Sequence, residues 1–235
     1  MSAGEFVAPK VMIGMPVGSG SVPWPTAMSL MSTVRACDKA GVPVRVEAPT
    51  GCSVVQWARS VVADAFLKSD STHLFWIDSD IVFSPNDFFR ILGFGAVLDV
   101  VGATYPFKKD PSGFLINLAG EPGKVEVNAL GCVKVKSMGL GFTLMKREVV
   151  ERVAATKPRV NDQLNGVEYA DIFRVDRTKQ GGPRGEDVAF FTDVRGLGYD
   201  VWLDPSVNVG HVGQKIYTGD VIDALGLQEF AVKEK

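Results

Sequence analysis

The chain lacks most of the signals that give away a protein's partner at a glance. Its 25 Lys and Arg stand against 27 Asp and Glu, a net charge of −2, so no general basic surface invites nucleic acid. The longest apolar runs, such as "ILGFGAVL" before Asp99, fall far short of the roughly 20 residues a membrane span needs. The opening "MSAGEFVAPK" has no charged-then-apolar signal pattern. Cys37, Cys52 and Cys132 are odd in number and have no metal-like spacing, which suits reduced, partly buried thiols in a cytoplasmic protein. No Walker sequence, internal repeat or low-complexity block is present.

What is present is an ordinary globular composition, 46% apolar and 22% charged over 235 residues, enough for one large domain with a sizeable core. "VMIGMPV" reads as a buried strand running into the loop "GSGSVPWP". "TAMSLMSTVRACDKAG" has helical spacing, with Met28, Met31, Val34 and Ala36 near one face and Gly41 as C-cap. "VPVRVEA" alternates as a second strand. "SVVQWARSVVADAFLK" is an amphipathic helix. "THLFWI" is apolar on both faces, as at the centre of a parallel sheet. Ser84 and Pro85 open the next helix, and "DVVGATY" is a fourth strand. This βαβαβαβ order predicts a parallel α/β sheet with right-handed crossovers. After Tyr105, "GFLINLAG", "GKVEVNA" and "CVKVKSM" predict a small antiparallel addition. The segment 158–184 has weak periodicity, and a long irregular stretch of that kind is usually functional or mobile.

Asp78 and Asp80, in "HLFWIDSDIVF", stand where the third strand leaves the core. Ligands of open α/β sheets bind beyond the carboxyl ends of the strands. If the backbone stays extended there, both carboxylates point the same way and repel unless a cation joins them. Oxygen ligands with an open shell suit Mg2+ or Mn2+ shared with substrate phosphates. The plainer reading is a polar strand end in which Asp80 turns the chain.

Two known classes place Asp-x-Asp after a buried strand. In haloacid-dehalogenase phosphatases the first aspartate, here Asp78, is a covalent nucleophile. Their motif generally opens the first strand, whereas two strand–helix units precede it here. The second class is the GT-A glycosyltransferases, and "WIDSDIVFSP" resembles their metal motif. "MGLGFTLMKRE" is similar to their glycine-bearing segment under donor and acceptor. "RGEDVAFF" resembles the Gly-Glu-Asp segment of inverting members, and "VNVGHVG" resembles the C-terminal metal histidine. The resemblance runs over roughly residues 10–215, with the four motifs in the expected order.

That resemblance implies a single GT-A domain, a mostly parallel Rossmann-like sheet flanked by helices. Residues 10–105 would form the nucleotide-binding half, 106–215 the acceptor-side half and 216–235 a C-terminal tail. It implies Mn2+ or Mg2+ as cofactor, held by Asp78, Asp80 and His211, with Asp78 also near the nucleotide ribose. Asp187 would be the general base that takes the acceptor hydroxyl proton, with Glu186 as the alternative. Arg59 would face the nucleotide or its phosphates, Pro16 and Gly18 would lie beside the nucleotide, and Gly139 and Gly141 under the sugars. Against each stands a structural role: a core histidine, a helix N-terminus stabilising Glu186 and Asp187, a solvated Arg59. Lys108 and Lys109 after "GATYPF" suit either a phosphate contact or a solvated turn.

The donor implied is a nucleotide-diphosphate sugar, with UDP the commonest partner of this motif. The acceptor is a hydroxyl on a glycan, a small molecule or a hydroxymethylated base in phage DNA, and no membrane is involved. For DNA the one local hint is the basic cluster of Lys157, Arg159, Arg174, Arg177, Lys179 and Arg184, which a solvated loop explains as well. The segment 160–184 could close over the donor and form the acceptor pocket, and whether it is a lid stays open in the sequence. A non-catalytic nucleotide-sugar-binding module on the same fold is a third possibility.

Overall fold

The computed structural model describes residues 8–111, 113–121, 124–162, 166–178 and 180–228. In chain order its elements are β1 (Val11–Gly14), α1 (Trp24–Ala40), β2 (Val44–Glu47), α2 (Val55–Lys68), β3 (His73–Ile77), β4 (Ile81–Val82) and α3 (Pro85–Phe94). Next come β5 (Val100–Gly102), β6 (Ile116–Leu118), β7 (Val133–Met138), β8 (Phe142–Lys146), α4 (Arg147–Ala155), β9 (Arg159–Asp162) and β10 (Val167–Ala170). The chain continues through β11 (Asp176–Arg177), β12 (Pro183–Arg184), α5 (Glu186–Gly196), β13 (Val201–Leu203), β14 (Gly210–Val212), β15 (Ile216–Tyr217) and α6 (Val221–Leu225).

The main sheet has the order β2-β1-β3-β8-β5-β13-β7-β6. β2, β1, β3, β5, β13 and β6 run one way, while β8 and β7 oppose them. The expected fourth parallel strand is therefore not beside the third: β8 lies between β3 and β5, antiparallel to both. "FTLMK" is too short to tell from a helix lead-in by periodicity, but its burial on both faces suits a central strand. β1 has β2 on one side and β3 on the other, so the chain reverses its direction of travel across the sheet there. Crossovers in opposite directions put their helices on opposite faces. α1 contacts α3, and α2 contacts α4. The crevice between β1 and β3, at the carboxyl ends, is the topological switch point where such sheets take their ligands.

β3 shows how the two layers form. Leu74 and Trp76 face one core cluster, Phe75 and Ile77 the other, following the two-residue period of a strand. Trp76 packs edge-on against Phe173 with ring centroids 5.4 Å apart, and Phe75 stacks on Phe88 at 4.7 Å. Each such side chain, fully buried, stabilises the fold by roughly 1.5–3 kcal/mol. α3 starts as its sequence demands, Ser84 and Asp87 forming a reciprocal capping box with Pro85 in the first turn.

α1 corrects an expectation. Its buried face is Thr26, Ser29, Thr33 and Cys37, whereas Met28 and Met31 are 40% and 55% exposed. Small side chains let the helix lie close, and the Ser29 hydroxyl accepts a hydrogen bond of 3.1 Å from the Phe83 amide. That buried amide would otherwise be unpaired, at a cost of about 1–3 kcal/mol. The segment 158–184 is also less irregular than its composition suggests. Its described residues form two hairpins, β9 with β10 and β11 with β12. Nor is the stretch after 215 simply a tail: β15 pairs with β14, and Val221 and Leu227 are buried in the core. The three thiols are free, and burial pushes Cys37 up to about 11 and Cys132 to about 12, as reduced core thiols require.

Candidate active site

Asp78 follows the last residue of β3, but the backbone does not stay extended. The Asp78 carbonyl accepts from the Ile81 amide at 3.1 Å, closing a turn over Ser79 and Asp80. The two aspartates consequently take different partners, correcting the expectation that they point one way. Asp78 Oδ1 pairs with Arg59 at 2.8 Å, and its Oδ2 accepts from the Tyr105 hydroxyl at 3.3 Å. Asp80 Oδ2 instead meets Lys108 Nζ at 2.5 Å and His211 Nε2 at 3.5 Å. Pro16, Val55, Asp78, Ser79, Asp80, Tyr105 and His211 nevertheless line one open cleft of about 240 Å3, at the β1/β3 switch point.

The glycine-bearing segment fixes the floor. The register that pairs Ile77 with Phe142 sets Gly141 opposite Asp78, whose amide donates to the Gly141 carbonyl at 3.0 Å. A Cβ at Gly141 would run into the Asp78 carboxylate, and one at Gly139 would come within 2.6 Å of the Tyr105 hydroxyl. Glycine is required at both by close approach. The next amide in the chain, Leu140, donates to Asp187 Oδ2 at 3.3 Å, so this one turn touches both aspartates.

Glu186 and Asp187 open α5 after Gly185, where the helix dipole favours negative charge. Both face the same guanidinium, Glu186 at 3.8 Å and Asp187 at 3.9 Å from Arg59. Arg59 is 3% exposed and lies over the Trp76 ring at 5.5 Å, so it is not a solvated helix residue. Burial alone would lower its pKa, but Asp78 and Asp187 hold it above its ordinary value. Asp187 goes the other way. Burial, reinforced by Glu186 and Asp78 against the pull of Arg59, pushes its carboxyl up to about 7. Desolvation thus outweighs the pull of the helix terminus on this carboxyl. Asp187 Oδ1, Arg59 Nε and Arg59 Nη1 are buried without a hydrogen-bond partner. Such groups are costly unless something else satisfies them.

Asp80 and His211 meet the requirements of a divalent cation in part. His211 Nδ1 is 2.9 Å from the Pro106 carbonyl, which can only accept, so in the neutral ring Nε2 presents its lone pair toward Asp80. Two ligands of one small divalent ion stand about 3 Å apart, close to the Asp80–His211 spacing. Burial works against the Asp80 anion, yet Lys108, and His211 when its Nε2 carries a proton, hold its pKa below the usual range. The Lys108 ammonium stands in for a cation on that oxygen. Asp78, however, is committed to Arg59 and Tyr105, and among the described residues no three His, Cys, Asp or Glu side chains converge on one point.

The remaining candidates separate. Gly18 is exposed and packs toward the Cys52 carbonyl, whereas Pro16 lines the cleft. Lys109 lies over the Phe107 ring. Of the basic cluster, Lys157 pairs with Asp193, and Arg159 with Glu168 and Asp64. Arg174 pairs with Asp193 and Asp176, Arg184 also pairs with Asp176, and Arg177 donates to the Gly181 carbonyl. Lys179 lies outside the described residues. Lys157, Arg159, Arg174 and Arg184 thus spend their charge on neighbouring carboxylates. Tyr105 went unnoticed in the sequence. It joins Asp78 to the Gly141 amide, 3.2 Å from its hydroxyl, and packs edge-on against His211 at 4.8 Å. Its position at the carboxyl end of a strand aligned with β3 was the available signal. The phosphatase assignment needs a free Asp78 oxygen, and both are engaged.

No family model matches the chain, and no curated protein matches it. Solved structures do. A197 from STIV aligns at a TM-score of 0.53 and 21% identity, over 87% of this chain and 86% of that one. GalNAc-T7, crystallised with UDP, GalNAc and Mn2+, aligns at 0.53 and 11% identity over 88% of this chain; the match spans 44% of that longer chain. The likeness is one of fold, and it establishes that this chain has a GT-A-like, mixed α/β architecture.

Proposed function

We propose that the protein transfers a sugar from a nucleotide-diphosphate donor, a UDP-sugar by preference, to an acceptor hydroxyl. The observation that carries this reading is the convergence of four distant segments on the switch-point cleft. Pro16, the Asp78–Asp80 turn, Tyr105 and His211 line it, and Arg59 ties Asp78 to Asp187 beneath. Asp80 and His211 would hold Mn2+ or Mg2+, and when bound the ion would offset charge developing on the leaving diphosphate. The other residues act on their own account. Pro16 and Val55 form the wall beside the nucleotide. With a cation on Asp80, Lys108 would be free to meet a phosphate oxygen, and Arg59 holds the Asp78 carboxylate in place by its 2.8 Å ion pair. The Gly139–Gly141 turn lets the sugar approach the backbone.

In the chemical step the acceptor oxygen bonds to the anomeric carbon as the bond from that carbon to the diphosphate oxygen breaks. The proton from the hydroxyl passes to Asp187, whose Oδ1 makes no hydrogen bond and whose pKa of about 7 suits a base at neutral pH. Glu186 then stands as a second carboxylate on the guanidinium, holding the acceptor. One displacement inverts the anomeric configuration.

The test is to incubate the protein with a panel of nucleotide sugars and Mn2+ and to measure released nucleotide diphosphate. Slow, metal-dependent release from one donor, without acceptor, is expected. Phosphomonoester cleavage with no release from any donor would instead restore the phosphatase reading. Donor binding without turnover would restore the non-catalytic module.

A further inference from the structure

A second and larger cavity, about 610 Å3, lies on the other side of the first turns of α2. Val55 faces the switch-point cleft, while Trp57 and Val61 face this pocket, so the start of one helix separates the two. The far wall is the β9–β10 hairpin, whose register pairs Val160 with Tyr169 and Asp162 with Val167. The third wall is the loop Pro49–Cys52, tied to the cleft side by the bridge between Val17 and Thr50. None of the donor-site residues discussed above lines it.

Its chemistry narrows what it can hold. The volume falls within the range of small-molecule sites. Trp57 is 52% exposed, an unusual state for an indole, and offers a flat apolar platform. Val61, Val160 and Val167 supply an apolar body around it. Among the described residues the charged lining is acidic only, Asp162 and Asp171, with no Lys or Arg, so a phosphate or sulfate would be repelled. Ionised carboxylates only accept hydrogen bonds, so the ligand must donate. The Asp171 and Asn161 side chains make no hydrogen bond or ion pair among the described residues, which leaves both for a ligand. A flat apolar face with donor groups around its rim is the shape of a sugar ring.

We propose that this pocket binds a neutral carbohydrate, with a C–H face of one ring on Trp57 and its hydroxyls donating to Asp171 and Asn161. Its role as the anchor for a glycan acceptor rests on the glycosyl-transfer reading; the carbohydrate site itself does not. It favours a glycan over a DNA base as the acceptor class, because a phosphate backbone has no cation to meet here.

The experiment is saturation-transfer NMR on the full chain with methyl glycosides of glucose, galactose, mannose and N-acetylglucosamine, with uridine as a flat-ring control. At least one glycoside is expected to bind, with saturation concentrated on one ring face. Trp57→Ala should weaken it about tenfold or more, as loss of an aromatic anchor does. Asp171→Asn, a near-isosteric change on the pocket rim, should weaken it several-fold, and carries the test should Trp57→Ala fail to fold. UDP with Mn2+ is titrated in parallel and should bind both variants as it binds the native chain. No glycoside binding, binding unchanged in both variants, or displacement of the glycoside by uridine overturns the pocket assignment whatever UDP does. Absent UDP binding with glycoside binding intact overturns the donor reading and leaves the carbohydrate site standing.

Discussion

Two charge clusters in this molecule are built on opposite plans. Around the hairpins, Lys157, Arg159, Arg174 and Arg184 meet Asp193, Glu168, Asp64 and Asp176, each cation with an anion beside it. Under the cleft one buried guanidinium, Arg59, faces three carboxylates, Asp78, Glu186 and Asp187. The first cluster is closed: its charges are satisfied and its fields cancel. The second carries an excess of negative charge out of water and unpartnered polar atoms. A fold that bears such a cost at the switch point of its sheet reserves those groups for something that arrives later.

Substitutions should separate the two plans, beginning with the largest effect. Arg59→Met leaves three carboxylates without their buried counter-charge. Denaturant unfolding at pH 7 should show a loss of about 3–5 kcal/mol, as when one partner of a buried pair is removed. Donor turnover should vanish with it.

Asp187→Asn should lower transfer by about 10²–10⁴-fold while leaving UDP binding nearly intact. Its effect on stability has the opposite sign. The Asp187 pKa is raised in the folded state, from the usual carboxylate value to about 7, so the folded chain binds the extra proton. The stability this confers is fully present below about pH 4 and is lost as pH rises through about 7. The substituted chain should therefore show a flatter fall in unfolding free energy across that window. Native kcat/KM without added acceptor competition should rise with a midpoint close to pH 7. A profile already flat from pH 5 would place the base elsewhere.

Tyr105→Phe removes the hydroxyl between Asp78 and the Gly141 amide. Leaving that buried amide unpaired should cost about 1–3 kcal/mol in chemical denaturation. UDP affinity should fall further than stability alone accounts for, since Asp78 loses a hydrogen-bond donor while the ring against His211 stays. At the small end, Arg184→Ala in the hairpin cluster should change unfolding by no more than about 1 kcal/mol, with turnover unaltered. A large loss there would dissolve the contrast between the clusters.

The legible part of this structure was the part governed by local rules. The strand "THLFWI", the Ser84 cap and the glycines beside Asp78 all follow from side-chain period, capping chemistry and Cβ clearance. The order of Asp78, Asp80, Asp187 and His211 along the chain pointed to one cleft; three of the four line it, and Asp187 meets Asp78 through Arg59. What stayed hidden depended on partners far away in sequence. Only the position of β8 reveals that "FTLMK" is a central strand, and only the Phe83 amide explains why α1 buries Ser29 rather than its methionines. The divergence of Asp78 and Asp80 came from one turn hydrogen bond, from the Ile81 amide to the Asp78 carbonyl. The raised Asp187 pKa came from burial, which a sequence placing it at a helix N-terminus does not disclose.

The central claim is that the switch-point cleft holds a nucleotide diphosphate through a cation on Asp80 and His211. Calorimetric titration of UDP in the presence and absence of Mn2+, on the native chain and on Asp80→Asn, tests it directly. UDP should bind the native chain with Mn2+, at least tenfold more weakly without it, and show no metal-dependent gain on Asp80→Asn. UDP binding of equal strength with and without Mn2+, or an undiminished metal response in Asp80→Asn, would contradict it.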